Sequence, residues 1–322
     1  MILTLYGGID GGGSRTRALV VDLDTGEAAR AEAGASNPNS VGAAVAVEHV
    51  MTALAHALAT LGRPKSDLRA LVAALAGVGR QETADAMKDL LSRHLTASQV
   101  MVIPDALAAL AGGSAGEAGT VLVVGTGSVA FSESGQGRVV RAGGYGYLIG
   151  DEGSGFAIGR RGLMAVMQAM DGRSAQTALT EAACNWFGCA GPLDLVERVY
   201  RADHPVGLVA SFAASVVSFR NQDAVAHEIV RAALSEHVRL IESVRRQLGR
   251  EAAAAVVVTG GLYEGDSSLL RDLSAALPQS SCRLPERSAV EGAVLLAVRA
   301  ERGGLSTSDI GRWREIMGGM AQ

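Results

Sequence analysis

The sequence predicts an α/β fold built from two related domains. A strand, a glycine-rich hairpin and a second strand near the N-terminus recur about 115 residues further along the chain. Between and after these repeats, short apolar runs alternate with helical segments, as in α/β proteins. A chain of 322 residues is long enough for two domains, and a cleft between domains is a common place for a functional site.

Composition indicates a globular chain without a bias toward charged partners. Of its residues, 48% are apolar and 19% are charged, so a sizeable core can form and extended disorder is not expected. The formal net charge of −4 lacks the excess of Lys and Arg that nucleic acid or an anionic membrane surface would require. We therefore expect neither nucleic acid nor a membrane among the partners.

Cysteine usage and the first residues indicate a cytoplasmic protein. The three cysteines, Cys184, Cys189 and Cys282, cannot all pair with one another, which fits a reducing compartment. The apolar run at residues 1–9 lacks the basic region and the long apolar stretch of a signal peptide. No run approaches the roughly 18 apolar residues of a membrane span. A cytoplasmic location is expected.

The first repeat and the segment after it contain the elements of one α/β domain. Two strands flank the motif DGGGSRT, and the alanine-rich segment that follows has the apolar spacing of a helix ended by Gly62 and Pro64. Almost wholly apolar runs predict buried strands, with a polar-faced helix between them. The predicted elements are strands at 2–9 and 18–22, a helix at 42–61, a strand at 68–75, a helix at 81–95, a strand at 100–103 and a helix from 106.

The second repeat begins near Gly119 and opens a domain that is mostly helical toward its end. The Gly-Gly-Ser sequence that starts at Gly112 indicates a linker. It divides the chain into domains 1–113 and 114–322, with the last helix a candidate to pack back on the first domain. The predicted elements are strands at 120–124, 129–133 and 138–141, a long helix at 222–248, a strand at 255–258 and helices from 267, 286 and 307.

The glycine hairpin after the first strand is a candidate phosphate site. A Rossmann or P-loop site would need a helix next, whereas here a strand follows. A hairpin can still cradle phosphate, because glycine permits positive φ and lets successive backbone N–H groups converge. Asp10 would then face a magnesium ion, directly or through water. The candidate phosphate ligands are Gly11, Gly12, Gly13, Ser14 and Thr16, and the alternative is a plain tight hairpin.

Two further glycine motifs favour a nucleotide site over three unrelated turns. The second hairpin again combines small residues with hydroxyl groups, so the two hairpins could grip a triphosphate from opposite sides. The third motif follows a buried strand, at the end where open α/β sheets bind ligands. The candidate residues are Gly125, Thr126, Gly127 and Ser128 in the second motif and Thr259, Gly260 and Gly261 in the third.

Two carboxylates stand at positions that suit a catalytic or binding role. Asp105 follows a buried strand and precedes a helix, so it is either the N-cap of that helix or a carboxylate presented at the sheet edge, and both can be true. Asp151 lies in the stretch 143–159, which is too rich in glycine for an ordinary helix and predicts a tightly wound loop. The alternative for Asp151 is a cap before a helix that starts at Phe156.

These motifs resemble those of the BadF/BadG/BcrA/BcrD-type ATPases and the N-acetylglucosamine kinases, in the superfamily of sugar kinases, Hsp70 and actin. DGGGSRT is similar to the first phosphate motif, VVGTGS to the second, VVVTGGLYE to the adenosine motif and GGYGYLIGDEGSG to the loop of amino-sugar kinases. The resemblance covers essentially the whole chain. It implies a two-lobed actin-like ATPase fold of the ribonuclease H type, with duplicated domains and a central cleft.

The resemblance also implies ATP and Mg²⁺ as cofactors and a small amino sugar as substrate. Asp105, in VIPDALAAL, stands at the position of the catalytic base that acts on the sugar 6-hydroxyl, and N-acetylglucosamine is the expected sugar. The family often has Trp where Tyr145 stands, which leaves the substituent at C2 open. Sugar contacts are implied for Asn37, Asp105, Thr126, Gly144, Tyr145 and Asp151.

Alternatives of two kinds stay open at the level of sequence. The same chemistry could act on glucosamine, N-acetylmuramic acid or another sugar. Outside the kinases, an Hsp70-like switch would hydrolyse ATP for a protein partner, and a sensor would bind sugar without turnover. The amino-sugar loop argues against the switch, and Asp10 with Asp105 argues against the sensor. The oligomeric state is open, a homodimer included.

Overall fold

The computed structural model of the chain describes residues 5–320, apart from the side chain at position 66. These residues form two compact units. One comprises the residues up to Ala118 together with those from Pro285 onward, and the other is Gly119–Leu284. Each unit holds one mixed sheet with helices, so the predicted α/β class with duplicated domains is confirmed.

The first unit contains a five-stranded mixed sheet in the order β3-β2-β1-β4-β5. Its strands are β1 (Leu5–Gly11), β2 (Thr16–Asp22), β3 (Ala28–Ala33), β4 (Leu68–Leu75) and β5 (Gln99–Pro104). Strand β1 pairs antiparallel with β2 and parallel with β4. Gly11 lies beside Leu75, and Leu75 beside Pro104, so the carboxyl ends of β1, β4 and β5 share one edge. Residues 2–4 of the predicted first strand lie outside the described residues.

The second unit repeats this topology in its own sheet, in the order β10-β9-β6-β7-β8. The strands are β6 (Gly119–Val124), β7 (Ser128–Glu133), β8 (Val139–Gly143), β9 (Ala255–Thr259) and β10 (Ser281–Arg283). Strand β6 pairs antiparallel with β7 and parallel with β9, as β1 does with β2 and β4. Because Val123 pairs with Thr259, the second and third glycine motifs follow neighbouring strands at the same edge of this sheet.

The predicted helices are present among the described residues, with ends shifted by a few residues. The helices are α1 (Pro38–Val41), α2 (Ala43–Thr60), α3 (Gln81–Ser92), α4 (Asp105–Ser114), α5 (Gly155–Met170), α6 (Leu179–Phe187), α7 (Asp194–Tyr200), α8 (Pro205–Ser211), α9 (Ala213–Ser218), α10 (Ala224–Leu248), α11 (Gly261–Gly265), α12 (Ser267–Ala276), α13 (Ala289–Arg302) and α14 (Thr307–Gly319), with 3₁₀ turns at Lys65–Asp67 and Gly249–Glu251.

The structure divides the chain differently from the predicted boundary. Gly112 lies inside the buried last turn of α4, where a Cβ would stand 2.7 Å from the carbonyl oxygen of Ser288. Gly292 of α13 is equally close to the backbone of α4, at Ala108. These glycines therefore let two helix backbones touch, which is a packing role and not a linker role. As a result α13 and α14 lie with the first unit, whose sequence is interrupted by the second.

Helices cover both faces of the first sheet. One face packs against α2 and α3, and the other against α4, α13 and α14. Among the described helices, α2 has the length and apolar composition that a membrane span would need, although no apolar run of that length was expected from the sequence. Its apolar positions, such as Val50 and Leu54, are buried against β2 and β3, as in the core helix of a globular unit.

Candidate active site

The first hairpin is narrow and open on its outer side. It closes through a hydrogen bond of 2.9 Å from the Gly12 N–H to the Arg15 carbonyl oxygen. A Cβ built at Gly13 would meet no atom within 4 Å, and one at Gly12 only Arg15 at 3.7 Å. Neither glycine has positive φ, so the expected left-handed backbone is wrong here. What these glycines offer is free space on the outer side of the hairpin.

The segment around Asn37 is fastened to this hairpin. The Gly12 carbonyl oxygen accepts hydrogen bonds from the N–H groups of Ser36 (3.0 Å) and Asn37 (3.2 Å). The Asn37 Oδ1 accepts from the Asn39 N–H at 3.0 Å and so caps α1. The predicted phosphate motif and the predicted sugar contact are therefore neighbours within the first unit.

Thr16 differs from the role expected of it. Its side chain is fully buried, and its hydroxyl lies 2.6 Å from the Gly34 carbonyl oxygen and 2.8 Å from the Ser36 hydroxyl. The hydroxyl hydrogen is thus used inside the fold, where it holds the end of β3 and the following loop against β2. Ser14, by contrast, is exposed at the hairpin tip. Of the two predicted hydroxyl donors, Ser14 is the one that a phosphate could reach.

Asp105 stands at the shared carboxyl edge of β1, β4 and β5. It is the first residue of α4, with Pro104 at the N-cap position, so the cap assignment is wrong. Its Oδ1 accepts a hydrogen bond of 2.9 Å from the Ala106 N–H. Burial raises the pKa of Asp105; the Ala106 bond lowers it in part, and the nearby charge of Asp10 adds to the rise. A raised pKa suits a carboxylate that accepts a proton during a reaction.

Asp10 is the second carboxylate at this edge. Its Oδ2 pairs with the Arg17 guanidinium at 3.2 Å, across the antiparallel pair of β1 and β2. Burial raises the pKa of Asp10 even though Arg17, and to a smaller extent Arg15, favour the charged form. Asp10 lies close enough to Asp105 for its charge to raise the pKa of Asp105. That the two carboxylates serve one site stays a prediction.

In the second unit, the second hairpin and the glycine-rich loop form one structure. The loop after β8 returns to the hairpin, where the Gly155 N–H donates to the Gly125 carbonyl oxygen at 2.9 Å. The Phe156 N–H likewise donates to the Thr126 carbonyl oxygen at 3.2 Å. The Ser128 hydroxyl donates to the Glu152 carbonyl oxygen at 2.9 Å, so this predicted nucleotide ligand is engaged in holding the loop. Thr126 remains exposed.

Asp151 lies against the second hairpin in an unusual backbone conformation. Its φ is 58°, in the left-handed region that residues other than glycine rarely adopt, which identifies a constrained position. Burial raises the pKa of Asp151, while backbone N–H groups of Ser128 and Gly146 lower it in part. A Cβ at Gly127 would stand 2.7 Å from the Asp151 carboxylate, so only glycine leaves room for it there. The absence of a side chain at Gly127 therefore leaves the space that the Asp151 carboxylate occupies.

The loop residues between Gly144 and Asp151 are exposed. Gly144 has a φ of 72°, and its N–H donates to the Ser128 carbonyl oxygen at 2.9 Å. The side chain of Tyr145 is 61% exposed, with the Arg141 guanidinium 5.4 Å from the ring centroid. Both residues predicted to contact sugar therefore lie on an accessible surface next to the second hairpin.

The third motif lies beside the end of β6. Gly260 has a φ of 111°, and a Cβ there would collide with the Val124 carbonyl oxygen, so this position requires glycine. The Glu264 carboxylate accepts hydrogen bonds of 3.0 Å from the Gly260 N–H and from the Thr259 hydroxyl. Thr259 and Gly260 thus shape the turn, whereas a Cβ at Gly261 would meet no atom within 4 Å.

Three residues that organise these segments were not singled out from the sequence. Ser36 joins the first hairpin to Asn37, Glu264 closes the third motif, and His237 of α10 contacts both Gly153 and Tyr263. The sequence could have indicated Ser36, because it directly precedes Asn37. A lone histidine in a long amphipathic helix carries no comparable local signal.

The sequence matches a known protein family over most of its length. The sequence profile of the BadF/BadG/BcrA/BcrD ATPase family matches residues 8–297. The chain belongs to this family. The BadF/BadG/BcrA/BcrD match spans both units, including the hairpins, the glycine-rich loop and α13, and it confirms the resemblance first seen in the motifs.

Relatives of this family member carry kinase names. An N-acetylmuramic acid/N-acetylglucosamine kinase of Clostridium acetobutylicum is 28% identical over 296 residues, 90% of this chain and 97% of the relative. An N-acetyl-D-glucosamine kinase of Dictyostelium discoideum is 29% identical over 284 residues, 84% and 88% of the two chains. A solved structure from Chromobacterium violaceum, provisionally assigned as an N-acetylglucosamine kinase, has a TM-score of 0.70 at 25% identity and covers 92% of this chain and 100% of its own.

Proposed function

We propose that this chain, a member of an ATPase family with sugar kinase relatives, transfers the γ-phosphoryl group of ATP to the 6-hydroxyl of an amino sugar. N-acetylglucosamine is the first candidate. The observation that carries the proposal is Asp105, a carboxylate with a raised pKa at the same sheet edge as the open first hairpin. The kinase names of the relatives support the substrate class.

Phosphoryl transfer needs positioning and charge stabilisation more than covalent help from the protein. In this proposal Asp105 accepts the proton of the sugar 6-hydroxyl, and the hydroxyl oxygen forms a bond to the γ-phosphorus. The bond from that phosphorus to the bridging oxygen of ADP breaks, and ADP leaves. Asn37 and Asp151 hold ring hydroxyls, with Thr126, Gly144 and Tyr145 as further sugar contacts.

The nucleotide is assigned to the three glycine motifs. The backbone of Gly11, Gly12 and Gly13, the Ser14 hydroxyl and the Gly125 to Gly127 turn approach the phosphates, with the Gly13 N–H as a donor because the Gly12 N–H is bound to Arg15. The turn from Thr259 to Gly261 shapes the pocket for adenosine. Thr16 and Ser128 support these loops from within, because their hydroxyl hydrogens are used in the fold.

A magnesium ion fits the donor set around Asp10. Mg²⁺ in kinases keeps several waters and phosphate oxygens and needs only one or two carboxylates from the protein. Within residues 5–320, no group of three or more His, Cys, Asp or Glu side chains could hold a metal ion, so an all-protein cage is absent there. Half-buried Asp10, near the end of β1, supplies one such carboxylate ligand, directly or through water. When bound, the cation would neutralise charge on the β- and γ-phosphates.

A panel of sugars in a coupled ADP-release assay tests the proposed function. We expect N-acetylglucosamine to raise ADP release well above the sugar-free rate, and 6-deoxy-N-acetylglucosamine to fail as an acceptor. Preference for glucosamine, N-acetylmuramic acid or glucose would change the sugar and keep the reaction. ADP release that no sugar stimulates would contradict the kinase and favour an ATP-driven switch.

Replacement of Gly12 by Val tests the first hairpin. Two added methyl groups would project into the open space where phosphates are proposed to lie, so ATP affinity should fall by about tenfold or more. Because Gly12 does not need positive φ and a Cβ there meets only Arg15 at 3.7 Å, the fold should be retained. Isothermal titration calorimetry with ATP and a melting curve measure the two effects.

Gly135→Val is the matched control for this substitution. Gly135 lies in an exposed turn after β7, lacks positive φ, and a Cβ there would meet no atom within 4 Å. It belongs to none of the three motifs, so its variant should bind ATP normally. Equal ATP affinity in both variants would remove the first hairpin from the nucleotide site.

A further inference from the structure

A fully buried histidine joins two segments of the second unit that the proposed function uses. His237, in the middle of α10, is 1% exposed. Its Nε2 lies 2.8 Å from the Gly153 carbonyl oxygen, and its Nδ1 lies 2.8 Å from the Tyr263 hydroxyl. Gly153 follows Asp151 by two residues in the loop, and Tyr263 lies in α11, directly after the third glycine motif.

The chemistry of the partners determines the state of the imidazole. The Gly153 carbonyl can only accept a hydrogen bond, so Nε2 carries the hydrogen and donates it. Nδ1 is then the acceptor, and the Tyr263 hydroxyl donates to it. Burial lowers the pKa of His237 to about 4, so the ring is neutral at physiological pH. Burial also raises the pKa of Tyr263, which keeps its hydroxyl protonated as a donor.

The loop has little freedom at the point where His237 holds it. Gly153 has a φ of 79°, and a Cβ there would lie 2.9 Å from the His237 ring and from the Ala233 carbonyl oxygen. The loop backbone is therefore pressed directly against α10. The other bonds that secure this part of the loop come from the second hairpin or from the loop itself, such as Ser128 to Glu152. His237 is a contact from a different element, and it holds the backbone two residues after Asp151.

We propose that His237 is a positioning residue for the glycine-rich loop after β8, which contains Asp151. It fixes the Gly153 carbonyl, and through the adjoining backbone it holds Asp151 in its left-handed conformation against Gly127. Tyr263 keeps the imidazole in the tautomer and ring orientation that this requires. The inference rests on the proposed function, because Asp151 matters to turnover as a sugar ligand.

Three substitutions separate positioning from general packing. His237→Phe keeps a ring and removes both nitrogens, and we expect the dissociation constant for N-acetylglucosamine to rise about tenfold, the worth of one lost hydrogen bond of about 1.4 kcal/mol. Tyr263→Phe removes only the hydroxyl and should raise the dissociation constant for N-acetylglucosamine by about threefold. His237→Gln keeps an N–H near the position of Nε2 and should restore most of the affinity. In the two His237 variants ATP affinity should change by less than about twofold, because the third motif keeps its own hydrogen bonds to Glu264.

Ser132→Ala is the matched control. The Ser132 hydroxyl is fully buried in the same unit and bonds Thr120 at 3.0 Å and the Gly119 carbonyl oxygen at 3.1 Å, at the opposite end of β6 from the glycine motifs. Its loss should lower the melting temperature and leave sugar affinity unchanged. A folded His237→Phe protein that binds sugar as the wild type does would overturn the inference. If that variant does not fold, unchanged affinity in Tyr263→Phe has the same meaning.

Hydrogen exchange distinguishes this inference from the proposed function. In His237→Phe the backbone amides of residues 150–155 should exchange faster, while those of β6 and β7 keep their protection. Unchanged exchange at 150–155 would show that His237 does not fix the loop, whatever the substrate. If the wild type binds no amino sugar, the proposed function fails, and the exchange comparison still decides the positioning role.

Discussion

Asp105→Asn is expected to lower kcat by about 10²- to 10⁴-fold, the usual contribution of a positioned general base. Asn has the same shape as Asp and can still accept the hydrogen bond from the Ala106 N–H, but it cannot take up a proton. Affinities for sugar and ATP should change far less than kcat. Steady-state kinetics together with calorimetry on the same protein measure both quantities.

The effect of Asp105→Asn on stability gives a second test of this prediction. Since the folded state raises the pKa of Asp105, its favourable contribution is complete below the pKa of the unfolded chain and is lost as pH rises through the folded pKa. Above that pH the charged carboxylate costs stability, and Asp105→Asn should melt there at the same or a higher temperature. For the wild type, kcat/KM should fall on the acid side at a pH above the ordinary Asp pKa of about 3.9.

Two further variants complete this experiment. Asp105→Ala also loses the bond to Ala106, so it should be inactive and about 1 kcal/mol less stable than Asp105→Asn. Asp89→Asn makes the same chemical change on the exposed face of α3 and should keep full activity. If Asp105 had only a structural role, Asp105→Asn would be active and Asp105→Ala would lose activity in proportion to its stability. A fully active Asp105→Asn enzyme would exclude the base assignment.

Removal of divalent metal should abolish turnover, and Mg²⁺ should restore it. The reason is that the phosphates of ATP carry more charge than the protein can neutralise at the first hairpin, where the guanidinium groups of Arg15 and Arg17 are already paired with Glu32 and Asp10. In Asp10→Asn the Mg²⁺ concentration needed for half-maximal activity should rise by about tenfold or more, because a carboxylate ligand is lost. Activity titrated with Mg²⁺ after chelation measures this directly.

Glu32→Gln is the control for Asp10. Glu32 also pairs with Arg17, at 3.4 Å, but lies on the exposed side of the sheet edge. Its substitution alters the partners of Arg17 without touching Asp10, and the Mg²⁺ requirement should stay as in the wild type. Full activity in excess chelator would rule out the metal, and an equal Mg²⁺ requirement in Asp10→Asn would remove Asp10 as its ligand.

Much of the fold could be predicted because its signals are local. The run at Leu68–Leu75 is apolar at every position except Arg69 and forms a strand with those bounds. Asp105 was located correctly at the junction of β5 and α4, since a polar residue between an apolar strand and a helix stands out. Gly112 was misread as part of a linker, because its real partner, the backbone before α13, is far away in sequence. Only the packed structure shows that contact.

The site was predictable to the level of motifs and less so to the level of atoms. The glycine motifs and Asp151 were found from composition, and the structure joins the second hairpin to the loop. Sequence does not show which hydroxyl faces inward, so Thr16 was grouped with Ser14 although it is buried. His237 was missed because its partners lie 84 and 26 residues away, and no periodic pattern encodes such a pair.

The interrupted first unit has a consequence for how the protein is made. During synthesis the segment Gly119–Leu284 is made, and leaves the ribosome, before the residues from Pro285, so the second unit can complete its core while the first is unfinished. Until α13 arrives, the surfaces of α4 at Gly112 and of β1 at Gly8 have nothing packed against them. Asp105 is the first residue of α4, so the helix that carries the proposed base completes its packing only after α13 has formed. A nascent chain is therefore expected to become active only when α13 and α14 have left the ribosome.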